Sequence, residues 1–316
     1  MSDKNPLLEL PGAVEADAPD SGVAAHFGQP VAEQRRLLDG SAVVDLSHHD
    51  VLTICGQDRL SWLNDITSQD FATLEPHSWT TGMILGPKGR IDYGFGAYED
   101  GERVWLHTEN GPQLLTFLNS MVFINRVEPA LVTKDWALIG TARATDGDPE
   151  DESQAELSQR LIPRNELAGM QPSGLWAWEA LRIAAGIPRI GLDTDEKTIP
   201  NEIGLPGVAL DKGCYPGQET VLKVYNLGRP PRRLVRLNLD GSVDRLPERG
   251  ATIHNGEKSV GWVGTSARHH ELGPIALGLI KRNTDTDAEL LADGIAASQD
   301  IVVDPDVGLH VRPVLE

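Results

Sequence analysis

Cysteine is nearly absent from this chain, with only Cys55 and Cys214 among 316 residues. That excludes a disulfide framework, and it excludes an all-thiolate zinc or iron–sulfur site within one chain, which takes about four thiolates. Positive charge is also scarce. Lys and Arg number 28 against 47 Asp and Glu, and the formal net charge of −19 argues against nucleic-acid or anionic-membrane partners, since both attract cationic surfaces. No segment approaches the roughly 20 apolar residues that a membrane helix needs. The opening "MSDKNPLLELPGAVEADAPD" lacks the basic start and apolar run of a secretory leader, so a soluble, cytoplasmic protein is the expectation. Nucleophile elbow, zinc-protease helix, Walker loop and dinucleotide fingerprint are all missing, and no metal site is expected.

What is present is a 40% hydrophobic composition, enough for real cores and, at this length, for two domains. Residues 1–30 are rich in Asp, Ala, Pro and Gly without periodicity and read as an extended or mobile arm. From Val31 the chain alternates strand and helix signals. "SAVVDLS" and "HDVLTICG" read as strands, and "DRLSWLNDITS" as a helix with Leu60, Leu63 and Ile66 on one face and Asp58 as N-cap. The turns "GPKG" and "EDGE" each join two strand-like runs, which places Lys88 in a hairpin and not in a phosphate loop. Helices are expected from "GPQLLTFLNSMVF" and "GLWAWEALRIAAG", and a strand from "DWALIGTARA". The acidic stretch 145–158 reads as an exposed excursion that does not fit a calcium loop. After residue 231 the pattern changes to short strands with "NG" and "DG" turns, the signature of a small all-β barrel or sandwich over 232–316. The fold class is therefore α+β, with mixed and antiparallel sheets and helices in 31–231.

Cys214 stands in "DKGCYPGQET", a Gly- and Pro-rich turn. The run that follows Gly217 has helix-forming residues, so Cys214 would sit near a helix N-terminus and near Lys212, both of which favour a thiolate. The alternative is a small residue that packs well, which is also the reading for Cys55. Two readings likewise stand for the basic run of Lys223, Arg229, Arg232, Arg233 and Arg236: a solvated or salt-bridged rim, or a site for an anionic small ligand. His48 and His49, and His269 and His270, are adjacent pairs whose members point in different directions, and they read as surface histidines.

The complete K-G-C-Y-x-G-Q-E signature from Lys212 to Glu219, preceded by "EALRIAAGIPRIGLDTDEKTIPNEIGL", resembles the YgfZ family, folate-binding relatives of the glycine-cleavage T-protein. "VVDLS", "LGPKGRIDYGF", "SVGWVGTSAR" and "IALGLIKR" extend the resemblance over about residues 35–310. It implies a T-protein-like fold with tetrahydrofolate or a related folate in a central channel, and a role in assembling or repairing iron–sulfur clusters in client proteins. It further implies Cys214 as the essential thiol, with Lys212 beside it and Asp92 at the position of the T-protein's charge-stabilising Asp. Trp178, Glu202, Tyr215, Gly217, Gln218, Glu219 and Arg229 become the implied folate contacts. The other activity implied is that of a tetrahydrofolate-dependent aminomethyltransferase or one-carbon transferase. One departure stands out. The T-protein motif L-R-x-E-A-G has a pterin-gripping Glu where "LRIAAG" has Ala184. Loss of two charge-assisted bonds of roughly 1.5–3 kcal/mol each is expected to weaken folate binding by about a hundredfold or more, with Glu202 as a compensating carboxylate.

Overall fold

A computed structural model describes residues 5–144 and 155–309. From residue 5 onward the N-terminal stretch is folded and not a mobile arm. It forms a 3₁₀ turn at Pro6–Glu9 and two short paired strands, β1 (Val14–Glu15) and β2 (Ala24–His26). Leu7, Val23, Ala24 and Ala25 are buried, and Asn5 donates to the Asp45 carboxylate at 2.5 Å. Aperiodic apolar residues hide such packing, because each meets a different partner surface. Helix α1 (Pro30–Leu38) opens with Pro at its first turn, and the fully buried Glu33 accepts from the N–H groups of Phe27, Gln29 and Gly174.

Strands β3 (Val43–Asp45) and β4 (Asp50–Cys55) lead into α2 (Arg59–Ile66), which buries Trp62, Leu63 and Ile66. Asp58 does stand at the N-cap, yet its carboxylate makes no capping bond and instead accepts from Arg126 Nη2 at 2.6 Å and Nε at 3.0 Å. Those bonds lower its pKa to about 2. Next come β5 (Ser78–Leu85), β6 (Ile91–Glu99), β7 (Val104–Thr108), α3 (Gly111–Ser120) and β8 (Glu128–Leu131). The two turns around Lys88 and Gly101 are the expected hairpins. These strands make one antiparallel sheet in the order β5-β6-β7-β4-β8, with α2 and α3 packed on an apolar cluster of Leu52, Ile54, Phe71, Leu106 and Leu114.

Strand β9 (Trp136–Ala144) pairs along its whole length with β10 (Ala155–Pro163), and β11 (Pro172–Ser173) joins them in a second sheet, ordered β10-β9-β3-β11. Of the expected acidic excursion, 145–154 lies outside the described residues. Residues 155–158 do not form an excursion, because ladder bonds to β9 and the packing of Leu157 hold them in β10. Helix α4 (Leu175–Ala184) lies between the two halves of the molecule. Ala177, Trp178 and Leu181 pack on the second sheet, whereas Ala180, Ile183 and Ala184 pack with Met83, Leu85 and Ile91 of the first sheet and with Leu277 and Leu279 of the barrel. A helix covered nearly all round needs the apolar sequence that α4 has.

Helix α5 (Gln218–Leu227) follows, flanked by Gly217 and Gly228, both in the left-handed region. The C-terminal unit is a closed six-stranded barrel of β12 (Arg232–Leu239), β13 (Thr252–Asn255), β14 (Lys258–His269), β15 (Gly273–Lys281), β16 (Leu290–Ala292) and β17 (Ile295–Ile301). Closure removes the exposed edges that so short a sheet would otherwise present.

Candidate functional site

A cavity of about 790 Å³ lies where the two sheets, α4 and the 187–197 loop converge. Its floor is the β5–β6–β7 face at Gly94 and Gly96. A Cβ at Gly94 would fall 2.6 Å from Ile190 Cγ1, and one at Gly96 1.9 Å from His107 Nε2. Glycine at both places lets the Ile190 and His107 side chains lie directly against the strand. Apolar walls come from Met83, Ile91, Phe95, Leu175 and Trp178, while polar groups converge from His48, His49, Asp92, Thr108 and Gln159. An apolar cleft of this size with a few placed polar groups has the dimensions and chemistry of a small-molecule site.

One end of the cavity carries a dense ion network. Arg189 holds Asp20 at 2.6 Å, Glu109 at 2.8 Å and Glu179 at 3.4 Å. Arg182 holds Glu179 at 2.6 Å and Asp193 at 3.0 Å, and also donates to the Ile187 carbonyl and to Thr265 Oγ1. Burial disfavours the Glu179 charge, but the two guanidinium groups outweigh it and bring its pKa down to about 2. Asp193 also accepts from the Thr265 N–H, which ties this end to β14 of the barrel. Asp92 differs from these carboxylates. It lies on the wall with no hydrogen-bond partner among the described residues, and burial raises its pKa.

The residues expected to act together separate into two places. Trp178 and Asp92 are on the cavity wall. Cys214 is exposed on the outer loop and does not line the cavity. Lys212 directs its ammonium to the end of a helix: Nζ donates to the carbonyls of Asn64, Thr67 and Gln69 at 2.5, 2.9 and 2.7 Å, closing the C-terminal end of α2. Half-burial brings its pKa down to about 8, and the ammonium also lies 5.1 Å from the Tyr215 ring centroid. Tyr215 is buried behind the wall with Met83, Leu85 and Ile91, and burial raises its hydroxyl to about 12. Gly217 fits against the hairpin turn, where a Cβ would be 2.7 Å from the Gly86 carbonyl oxygen. Gln218 bonds its own loop at the Lys212 and Gly213 carbonyls.

Glu202 does not compensate for Ala184. It is fully buried away from the cavity, accepts from the Ile199 N–H and is held by Arg232 at 2.8 Å. Glu219 and Arg229 are exposed and off the cavity wall. Nor does the basic run form an anion site there. Arg232 pairs with Glu202 and Asp195, Arg233 is buried against Gln299 and the Thr284 carbonyl, and Arg236 pairs with Asp300 and caps the Ala184 carbonyl. Ala184 itself packs in the core between sheet and barrel.

The histidine pairs are not on the surface. The side chains of His48 and His270 are 4% exposed, as is residue His269. Chain bends after β3 and at the end of β14 turn them inward, and His48 and His49 reach the cavity. Their position directly after the apolar "VVDL" strand was the available sign, since a strand end in a sheet core points its next side chains inward as readily as out.

No family model matches the chain. An aminomethyltransferase of Thermotoga neapolitana is 25% identical over 91% of this chain and 92% of its own length. One from Thermosynechococcus vestitus is 36% identical over 40% of this chain and 34% of its own length. The crystal structure of the glycine cleavage system aminomethyltransferase T from Bartonella henselae superposes with a TM-score of 0.76 at 16% identity, covering 95% of this chain and 97% of that one. Cavity, barrel and sequence thus agree: the chain has the aminomethyltransferase fold and is related to the aminomethyltransferases.

Proposed function

We propose that the chain binds tetrahydrofolate or a related folate in the central cavity and, as in the YgfZ-type reading of its signature loop, supports the assembly or repair of iron–sulfur clusters in client proteins of the cytoplasm. The observation that carries the ligand half is an apolar, polar-tipped cavity of about 790 Å³ between the two sheets and α4. The client half rests on Cys214. Its thiol stands exposed on a loop whose next residue, Tyr215, packs behind the cavity wall. A thiol so placed meets another protein, not the cavity ligand. Titrating tetrahydrofolate against the purified protein, read by tryptophan fluorescence, tests the first half; saturable quenching supports it and an unchanged spectrum refutes it. Cys214→Ala tests the second. It is expected to leave folate affinity within about twofold while lowering the activity of cluster-dependent enzymes in cells that rely on this protein. Normal cluster-enzyme activity in that strain would end the client reading.

A second reading, folate-dependent aminomethyl or one-carbon transfer, is favoured by Asp92, a wall carboxylate that no arginine neutralises. Tetrahydrofolate would supply the nitrogens that accept the one-carbon unit, and Asp92 would stabilise positive charge beside them. Purified protein given aminomethyl-lipoyl substrate and tetrahydrofolate should then release ammonia and form methylenetetrahydrofolate. Absence of turnover dismisses this reading.

A further inference from the structure

Three imidazoles meet at one side of the cavity, and of their ring nitrogens the ion network touches only His48 Nε2. His107 stands on β7 opposite Gly96 of β6, and the glycine lets its ring lie across the neighbouring strand. His107 Nδ1 and His49 Nδ1 are 3.4 Å apart. His48 packs edge-on against His49 with ring centroids 4.6 Å apart, and its Nε2 faces Asp20 at 3.7 Å. Burial lowers all three below the ordinary imidazole range, His107 to about 4, so the rings are neutral at pH 7.

Each neutral ring carries one proton, and an Nδ1···Nδ1 contact requires that one of the two nitrogens have it and the other not. His107 Nε2 is buried without a hydrogen-bond partner among the described residues, and the Gln159 side chain, which also acts on this ring, makes no hydrogen bond of ordinary geometry to it. A bare lone pair there is less costly than an orphaned N–H, because unpaired buried donors are the rarer defect. The proton of His107 is therefore on Nδ1, where it is donated to His49. His49 consequently carries its own proton on Nε2. That nitrogen makes no hydrogen bond among the described residues, and the ring lines the cavity.

We infer that His49 is a ligand-contacting residue whose Nε2–H donates to an acceptor, a lactam carbonyl or ring nitrogen, on the edge of a neutral planar heterocycle, with His107 as the positioning residue that fixes this tautomer. The inference rests on the folate reading of the cavity and names the residue that would read the ring. It assigns the ring edge, not an anionic tail, to this side of the site.

The test uses the full chain with tetrahydropterin, which lacks the tail, and with tetrahydrofolate. In protein labelled with ¹⁵N-histidine, saturation with either compound should shift the Nε2 resonance of His49 and leave it of the protonated type. His49→Leu should weaken both compounds about tenfold, as for one lost hydrogen bond, while His49→Gln, which keeps a donor, should stay within about threefold. His107→Leu should erase the tautomer preference in the His49 spectrum, a change that mere loss of packing would not produce. An unmoved His49 resonance at saturation, or equal affinity of His49→Leu and wild type, overturns the inference and leaves the cavity reading standing. Failure of the wild type to bind either compound overturns both. The wild-type spectrum decides the matter even where a variant does not fold.

Discussion

The cavity wall and the Cys214 loop were built in opposite ways. The ion network of the wall draws in residues remote in sequence as well as near ones: Arg189 reaches Asp20, 169 positions away, and Arg182 reaches Thr265, 83 positions away. The loop is a contiguous motif that bonds to itself, fits against one hairpin turn and anchors Lys212 on the end of α2, and its cysteine is exposed. Electrostatic work is concentrated in the wall, and accessibility in the loop. The lesson is that a contiguous motif can mark an exposed loop, while a cavity wall is assembled from residues that no single motif collects.

Substitutions should separate the two regions by size of effect. Arg182→Met leaves Glu179 and Asp193 buried with unbalanced charge, and should lower stability by about 3–5 kcal/mol in urea unfolding. A loss below about 1 kcal/mol would mean the wall is not held by charge. Acid is the next probe. His107 has a pKa of about 4 against 6.5 for a free imidazole, so between those values the unfolded chain binds the extra proton and stability falls as the pH drops. The groups facing it are His49, Gln159 and the Trp79 ring. Its share is about 3 kcal/mol at most. Glu179 extends the same trend: its contribution is complete above about 4.5 and is lost as the pH falls toward 2. His107→Gln should therefore flatten the stability curve between pH 6.5 and 4, measured by denaturant midpoints, and an unaltered slope there would contradict the buried neutral ring.

On the loop side, Lys212→Met strips a donor from the carbonyls at the end of α2 and should cost about 2 kcal/mol. If Lys212 instead tuned the thiol, the stability would hold and the reaction rate of Cys214 with a thiol reagent would fall. Smallest of all, Cys214→Ala should stay within about 0.5 kcal/mol of wild type by thermal denaturation. A larger loss would make the cysteine a packing residue after all.

These contrasts explain what the sequence made legible. Helices α2, α3, α4 and α5 and the hairpins around Lys88 and Gly101 were readable because periodicity and turn chemistry are local. The change to barrel strands after Pro231 was visible for the same reason. The N-terminal segment was misread because Leu7 and Val23 acquire partners only through tertiary packing. Lys212 looked like a companion to its neighbour in sequence, yet its ammonium points to the end of a helix 148 residues earlier. His48 and His49 looked like solvent-facing residues because adjacency says nothing about which way a chain bend turns them. Glu202 was a reasonable compensating carboxylate until Arg232 was found on it.

The packing of α4 has one more consequence. Its Ala180, Ile183 and Ala184 share a single core with Met83 of the first sheet and Leu277 of the barrel, and Arg236 of the barrel closes its last turn. The seam before β12 is thus a boundary of topology and not of cohesion: cutting there would expose the apolar faces that α4, the first sheet and the barrel share, so the barrel buttresses the cavity-bearing unit and is not an appendage to it.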